Sequence, residues 1–211
     1  MRTLSVIASL CVALAFAITS ASSSRAQISN DIIKIGVMAD MNGPLSTAGG
    51  RGSVEAARMA AEDFGGAIAG KHIEIISADH QNKPDIGAAI ARQWFNVEHV
   101  DVITDLASSA VGFAVVEVAK SLNKIVLISG PGSSDFTGKA CAPTSIHWTW
   151  DTYGAATTTA QAIVGPGANT WFFIASDYAF GRALERDGAS AVEKAGGKVV
   201  LPEGAVKETA A

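Results

Sequence analysis

Apolar positions along this chain switch repeatedly between a short continuous run and a spacing of three and four, and that switching predicts its architecture. Residues 32–38, Ile-Ile-Lys-Ile-Gly-Val-Met, read as a buried strand, and residues 39–50 follow as a loop rich in turn residues. Val54, Ala57, Ala61 and Phe64 then form the inward stripe of a helix that Gly65-Gly66 ends. A second strand covers 72–78 and leads into a polar turn at 79–84. The next helix, near 85–97, carries Ile86, Ala89, Ile90, Trp94 and Val97 on one side. A third strand at 100–104 precedes a helix over 109–122 with Val111, Val115, Val118 and Leu122 inward, and a fourth strand spans 125–128. Strands alternating with helices at this spacing predict an α/β fold, a doubly wound parallel sheet with right-handed crossovers.

The stretch 129–145 is too long and irregular for an ordinary connection, and such loops are usually functional or mark a boundary. Beyond it, Ile146-His-Trp-Thr-Trp-Asp is aromatic and polar, unlike the preceding strands, and then the pattern restarts. A helix is expected near 152–164, a strand at 170–175, a helix at 180–195 and a strand at 198–201. The boundary between two α/β lobes therefore falls near 148–151. Residues 27–148 make the first lobe and 149–211 part of a second. Two strands are too few for a doubly wound lobe to bury helices on both faces, so the chain is expected to be truncated at its C-terminus.

Residues 1–26 stand apart from this pattern. A short basic start at Met1-Arg-Thr, a nearly unbroken apolar run over 4–18 and the small residues around Ser24-Arg-Ala26 predict a secretory signal peptide. The run is too short to span a bilayer. Cys11 lies inside it, with Ala8 three residues earlier, which argues against a lipoprotein signal. Removing Arg2 and Arg25 from the 16 basic residues leaves 14 against 20 acidic ones, a net charge of −6. An acidic exported chain argues against nucleic acid or an anionic membrane surface as partner. Cys141 is then the sole cysteine of the mature chain; it is either a buried small hydrophobe or paired with sequence lying elsewhere.

The candidate chemistry sits where strands end. The apolar run of 100–104 stops at Asp105, and Ser108 and Ser109 follow where a helix begins. A helix N-terminus there presents free N–H groups and a positive dipole end, which favour a carboxylate. Ser108 is either an N-cap or a ligand contact. A second loop of the same kind, Ile-Ser-Gly-Pro-Gly-Ser-Ser at 128–134, closes the next strand, and ligands of open α/β sheets bind outside such carboxyl ends. Trp94 lies on a helical stripe and reads as core. Trp148, Trp150 and Tyr153 gather at the lobe junction, as a small-molecule cleft or as interface packing. Tyr178 and Phe180 occupy the equivalent strand-end loop of the second lobe.

Enzyme signatures fail individually. Gly132 to Gly138-Lys139 has one residue too many for a phosphate loop, and Ala140 replaces its Ser or Thr. The glycines after the first strand lack the dinucleotide spacing. His72, His80, His99 and His147 lack zinc-ligand spacing, and no Gly-x-Ser-x-Gly elbow occurs. A Ser108, Asp79, His80 hydrolase triad can be written down, but nothing in the sequence joins its members. No catalytic residue, metal ligand or cofactor is expected.

Taken together, Ile35-Gly-Val, Asn42-Gly-Pro-Leu45, Asp79-His-Gln-Asn-Lys-Pro84, Leu106-Ala-Ser-Ser109, the loop 129–134 and Asp177-Tyr-Ala-Phe-Gly181 resemble the periplasmic substrate-binding proteins of ABC importers, in the branched-chain amino acid (Leu/Ile/Val-binding) group. The resemblance runs in order from residue 32 to 211. It implies a type I periplasmic-binding fold of two doubly wound parallel-sheet lobes, with the first lobe here lacking its returning C-terminal segments. It also implies a periplasmic, monomeric solute receptor that delivers a small carboxylate-bearing ligand to a membrane ABC permease. By position, Ser108 and Ser109 would meet the ligand carboxylate, and Pro131 and Ser133 its polar groups. Ala48 and Phe180 fall where amino-acid binders often place bulkier or tyrosyl aromatics. With Trp148 and Trp150 they point toward a larger or flatter ligand, an aromatic acid or amide, as in the subgroup that the 141–148 segment resembles. A sensory module on the same fold is the alternative.

Overall fold

The computed structural model describes residue 28 and residues 31–200; the expected signal peptide at 1–26 and the end of the last expected strand lie outside the described residues. Along the chain run β1 (Ile32–Ala39), α1 (Gly50–Asp63), β2 (Ala67–Ile68), β3 (Lys71–Asp79), α2 (Pro84–Asn96), β4 (Val102–Asp105), α3 (Ser109–Ser121), β5 (Ile125–Ile128) and β6 (Ser145–His147). After them come α4 (Thr152–Ile163), β7 (Thr170–Trp171), α5 (Ala179–Lys194) and β8 (Lys198–Val199).

The first sheet has the order β2-β3-β1-β4-β5-β6, parallel except for the antiparallel β2–β3 edge. The chain steps outward from β1 to β3, then crosses back over β1 to reach β4 and β5. With right-handed crossovers, that reversal puts α1 on one face and α2 and α3 on the other, and it opens a crevice between the carboxyl ends of β1 and β4. The main core lies under α2 and α3, where Met38, Ile103, Val126 and Ile128 meet Ala91, Trp94, Val111, Val115 and Val118. On the α1 face the cover is thinner: Val54 is buried, while Ile125 and Ile146 farther along the sheet are exposed.

Two small residues set the spacing of the main core. A side chain at Gly36 would run into the Trp94 ring, so the bare β1 backbone receives the indole. A Cβ at Gly87 would lie 2.6 Å from a Val111 methyl, so α2 approaches α3 through its backbone. That contact rotates α2 from its expected orientation. Gly87, Ala88, Ala91, Trp94 and Phe95 are buried, whereas Ala89 and Val97 face solvent. The α1 stripe also departs from expectation, since Val54 alone of its apolar four is buried and Phe64 is exposed.

The expected strand at 170–175 shortens to Thr170–Trp171, because β8 pairs with it over only two residues. Phe172 and Ile174 beyond that pairing are exposed. β7 and β8 form a separate parallel pair, packed with α4 and α5 around Ala156, Ala160, Ala191 and Val192. His147, expected in a stretch unlike a strand, closes β6 opposite Ile128. Cys141 is exposed, which removes its reading as a buried hydrophobe. Among the described residues no helix is long and apolar enough to cross a membrane.

Candidate functional site

Parallel register aligns Ala39 with Asp79, Met38 with Asp105, Asp105 with Ile128, and Ile128 with His147, so the loops that follow these strands gather on one edge of the sheet. The loops after β1 and β3 are each fixed by an aspartate that captures backbone N–H groups. Asp40, fully buried, accepts from Gly43 and Leu45, both at 2.9 Å. Asp79 accepts from Met41 at 3.2 Å, Gln81 at 2.8 Å and the Asn42 amide at 3.1 Å. Burial alone would raise the Asp79 pKa, but those hydrogen bonds and the nearby His80 outweigh it and hold the carboxylate below its ordinary 3.8.

At the end of β4 the chain makes an unusual turn. Asp105 and Leu106 both have left-handed backbone, with φ of 77° and 63°. Such conformations cost non-glycine residues of order 1–3 kcal/mol each and concentrate at ligand sites. The turn delivers Ser108 to the N-cap of α3 with extended backbone, yet its side chain makes no capping bond. Ser108 is 1% exposed, and its hydroxyl has no hydrogen-bond partner among the described residues. The N-cap assignment is thus met by the backbone, while the hydroxyl is left over.

The β5 loop is drawn against the same helix end. Gly112 leaves room for Phe136, whose ring stacks on Phe113 with centroids 4.2 Å apart, and for Pro131. This brings the Ser133 N–H to the Ser109 hydroxyl at 3.3 Å. Ser133 in turn accepts the Asp135 N–H at 3.3 Å and caps the short 3-10 turn Ser134–Phe136. Ser109 and Ser133 therefore spend oxygen lone pairs on backbone donors and keep their O–H groups to donate. Three buried hydroxyls at a helix N-terminus make an anion-favouring floor.

His147 holds the Pro131 carbonyl at 2.9 Å, and Gly132 O accepts the Thr152 N–H at 2.7 Å. The Trp150 ring lies on Gly132, where a Cβ would come 2.5 Å from it, and Phe180 meets Trp150 edge-on at 5.6 Å. A cavity of about 430 Å³ opens beside them, lined by His147, Trp148, Thr149, Trp150 and Asp151 among others. The serines are outside its lining; Trp150 links the two regions. Pro131 is buried in the loop. Ala48 is exposed on the β1–α1 loop, one residue from Gly49, which packs on Asp105. These contacts thus link Ser108, Ser109, Pro131, Ser133, Trp150 and Phe180, whereas Ala48 is exposed and outside the cavity's lining.

A hydrolase triad is not assembled. Asp79 is committed to the loop at 41–42 and to Gln81, and His80 accepts the Asn82 N–H on Nδ1 at 3.0 Å. A triad histidine needs an N–H on that nitrogen to donate a hydrogen bond to its aspartate. Burial lowers the His80 pKa despite Asp40 and Asp79, which disfavours the charged ring. Among the described residues no group of His, Cys, Asp and Glu could hold a metal ion.

Two features were missed in the sequence. Asp105 is 5% exposed, with Oδ2 unpartnered among the described residues; burial raises its pKa, partly offset by the Ser53 hydroxyl. Its signal was an acidic residue ending an apolar strand. The second is a charged junction. Asp187 of α5 accepts from Ser134 and Thr152, both at 2.6 Å, while Arg186 reaches Asp135 at 3.0 Å. Nothing in the local pattern pairs residues 35 to 53 positions apart.

The sequence model of the family described as periplasmic binding protein matches residues 32–209. A search of the curated proteins finds no match. A crystal structure of a periplasmic binding protein from Burkholderia mallei is 41% identical with a TM-score of 0.77, over 80% of this chain and 45% of its own. A branched chain amino acid ABC transporter periplasmic ligand-binding protein from Burkholderia xenovorans is 30% identical with a TM-score of 0.70, over 79% of this chain and 45% of its own. A Rhodopseudomonas palustris solute binding protein in complex with 4-hydroxybenzoate shares the fold at 23% identity, with a TM-score of 0.69 over 80% of this chain and 45% of its own. The chain thus spans under half the length of these structures. The second and third of these are binding proteins of ABC transporters. Its parallel sheet, its strand-end loops and a match across residues 32–209 agree: the chain belongs to the periplasmic binding protein family.

Proposed function

We propose that this protein is an exported solute receptor that captures a small carboxylate-bearing ligand and passes it to a membrane ABC permease. Residues 27–148 form the lobe that first receives the ligand, and 149–211 belong to a second lobe that closes on it by a hinge near 148–151. Ser108, Ser109 and Ser133 donate to the carboxylate, the Pro131 segment meets its polar neighbours, and Trp150, Phe180 and Ala48 shape the space for the remainder. The observation that carries this reading is the buried, unpartnered Ser108 hydroxyl at the α3 N-terminus, beside two serines whose oxygens are already engaged. A buried hydroxyl without a partner costs free energy that a ligand oxygen recovers.

The ligand class is a branched-chain amino acid, an aromatic acid or an amide. A thermal-shift panel on the protein expressed from its whole reading frame tests it, setting leucine, isoleucine and valine against benzoate, cinnamate and short amides. At least one carboxylate is expected to raise the melting temperature, and recovery of that ligand chemically unchanged is expected after incubation. A panel with no shift from any carboxylate contradicts the reading.

A further inference from the structure

Two consecutive residues of α5 grip two consecutive residues of the β5 loop. The Arg186 guanidinium meets the Asp135 carboxylate through two nitrogens, at 3.0 and 3.3 Å, and donates to the Ser134 hydroxyl at 2.9 Å. Asp187 accepts from the same hydroxyl at 2.6 Å. Both targets belong to the 3-10 turn Ser134–Phe136, which follows Ser133 directly. A turn of three residues has poor hydrogen-bond geometry and little stability of its own. This one is held from two sides, by Phe136 buried in the main core and by α5. The other side of the turn is the serine floor. The Asp135 N–H donates to the Ser133 oxygen at 3.3 Å, and the Ser133 N–H donates to the Ser109 oxygen at 3.3 Å. The direction in which the Ser133 hydroxyl can send its own hydrogen therefore depends on where the turn puts Asp135.

We propose that Arg186 is a positioning residue: through Asp135 it sets the Ser133 hydroxyl, so that the affinity of the serine floor for a carboxylate depends on α5, which packs with the second sheet. This rests on the carboxylate reading of the serines and deepens it. Arg186 braces the floor from behind and does not touch the ligand. An isolated ion pair as exposed as this one contributes little, but a guanidinium with two nitrogens on one carboxylate, joined to Ser134 and Asp187, fixes a geometry. Lys139 reaches the same carboxylate at 3.2 Å, yet its side chain is 75% exposed and belongs to the loop that it would have to hold. Arg186 is anchored outside that loop. The coupling is reciprocal, since a ligand held by Ser133 steadies the turn and with it the contact to α5.

Isothermal titration with leucine, benzoate and cinnamate tests this on the protein expressed from its whole reading frame, with a melting curve for each empty variant. Arg186→Gln is expected to weaken the carboxylate that binds by about tenfold, and Asp135→Asn by a similar factor. The double variant is expected to bind no more weakly than either single one, because one path is broken at two points. Lys139→Gln, which strips a charge from the same carboxylate, is expected to keep its affinity. Tighter binding by Asp135→Asn would mean that this carboxylate only repels the ligand, and equal losses in Arg186→Gln and Lys139→Gln that charge alone matters. Either result overturns the positioning role, as do additive losses or an unchanged affinity in folded Arg186→Gln. If Ser108→Ala abolishes binding while Arg186→Gln leaves it intact, the carboxylate reading stands without Arg186. If none of the three compounds binds the unaltered protein, both fall. Should Arg186→Gln not fold, Asp135→Asn breaks the same contact from its other end, and its comparison with Lys139→Gln decides the matter.

Discussion

Asp105 and Ser108 are three residues apart, both are buried, and each carries an oxygen without a partner among the described residues. Their consequences for stability differ. Asp105 has its pKa raised above the ordinary 3.8, first by burial and against the Ser53 hydrogen bond. A raised acid binds its proton more tightly in the folded chain, so it lowers stability at neutral pH and the loss is relieved as pH falls through its folded value toward 3.8. Asp105→Asn is therefore expected to raise the melting temperature at pH 7 by a few degrees, with the gain shrinking on acidification; melting curves at pH 7 and pH 4 check it. A variant less stable at both pH values would show that the carboxyl holds the fold together. Asp79 works in the opposite sense. Its lowered pKa contributes stability above 3.8 that disappears as pH falls through its folded value. Acid is thus expected to loosen the β1 and β3 loops that it ties together. Backbone amide exchange of Met41 and Gln81 at pH 3 and pH 6 would show it.

At the scale of elements, the period of the apolar positions revealed the α/β alternation, since buried parallel strands and amphipathic helices differ in repeat whatever surrounds them. It did not reveal how helices rotate. Gly87 replaces a side chain with a gap, and α2 turns to bring that gap over Val111, which exposes Ala89 and Val97. A glycine has no hydropathy worth reading, so the contact was invisible in the pattern. Gly87→Val is expected to destabilise the protein by about 1–3 kcal/mol, because added methyls must displace Val111 in a filled core; denaturant unfolding measures it. β2 escaped for a similar reason, as two residues carry no period. In the site, the serines were legible because strand ends and helix starts have a local signature. The junction of Asp187 with Ser134 and Thr152 was not, because it depends on how distant elements dock.

At the scale of the whole molecule, that junction joins the β5 loop of the first sheet to α5, which packs with the second. Burial works to raise the Asp187 pKa, but the Ser134 and Thr152 hydrogen bonds and the charge of Arg186 prevail and lower it below 3.8. Its contribution is present above 3.8 and lost as pH falls through the folded value. Asp187→Ala leaves the Ser134 and Thr152 hydroxyls without their acceptor and Arg186 with Asp135 as its remaining carboxylate, and is expected to cost about 1–3 kcal/mol in denaturant unfolding. No change would mean that the junction is a surface contact without energetic weight.

The central claim is that the α3 N-terminus and its serines receive a ligand carboxylate. Isothermal titration of the best carboxylate from the panel against the unaltered protein and Ser108→Ala, with melting curves to verify folding, tests it most directly. A hydrogen bond to a charged group is worth about 1.5–3 kcal/mol, so affinity is expected to fall roughly ten- to a hundredfold while the melting temperature of the empty protein holds. An unchanged affinity in a folded Ser108→Ala protein would place the ligand elsewhere and contradict the account.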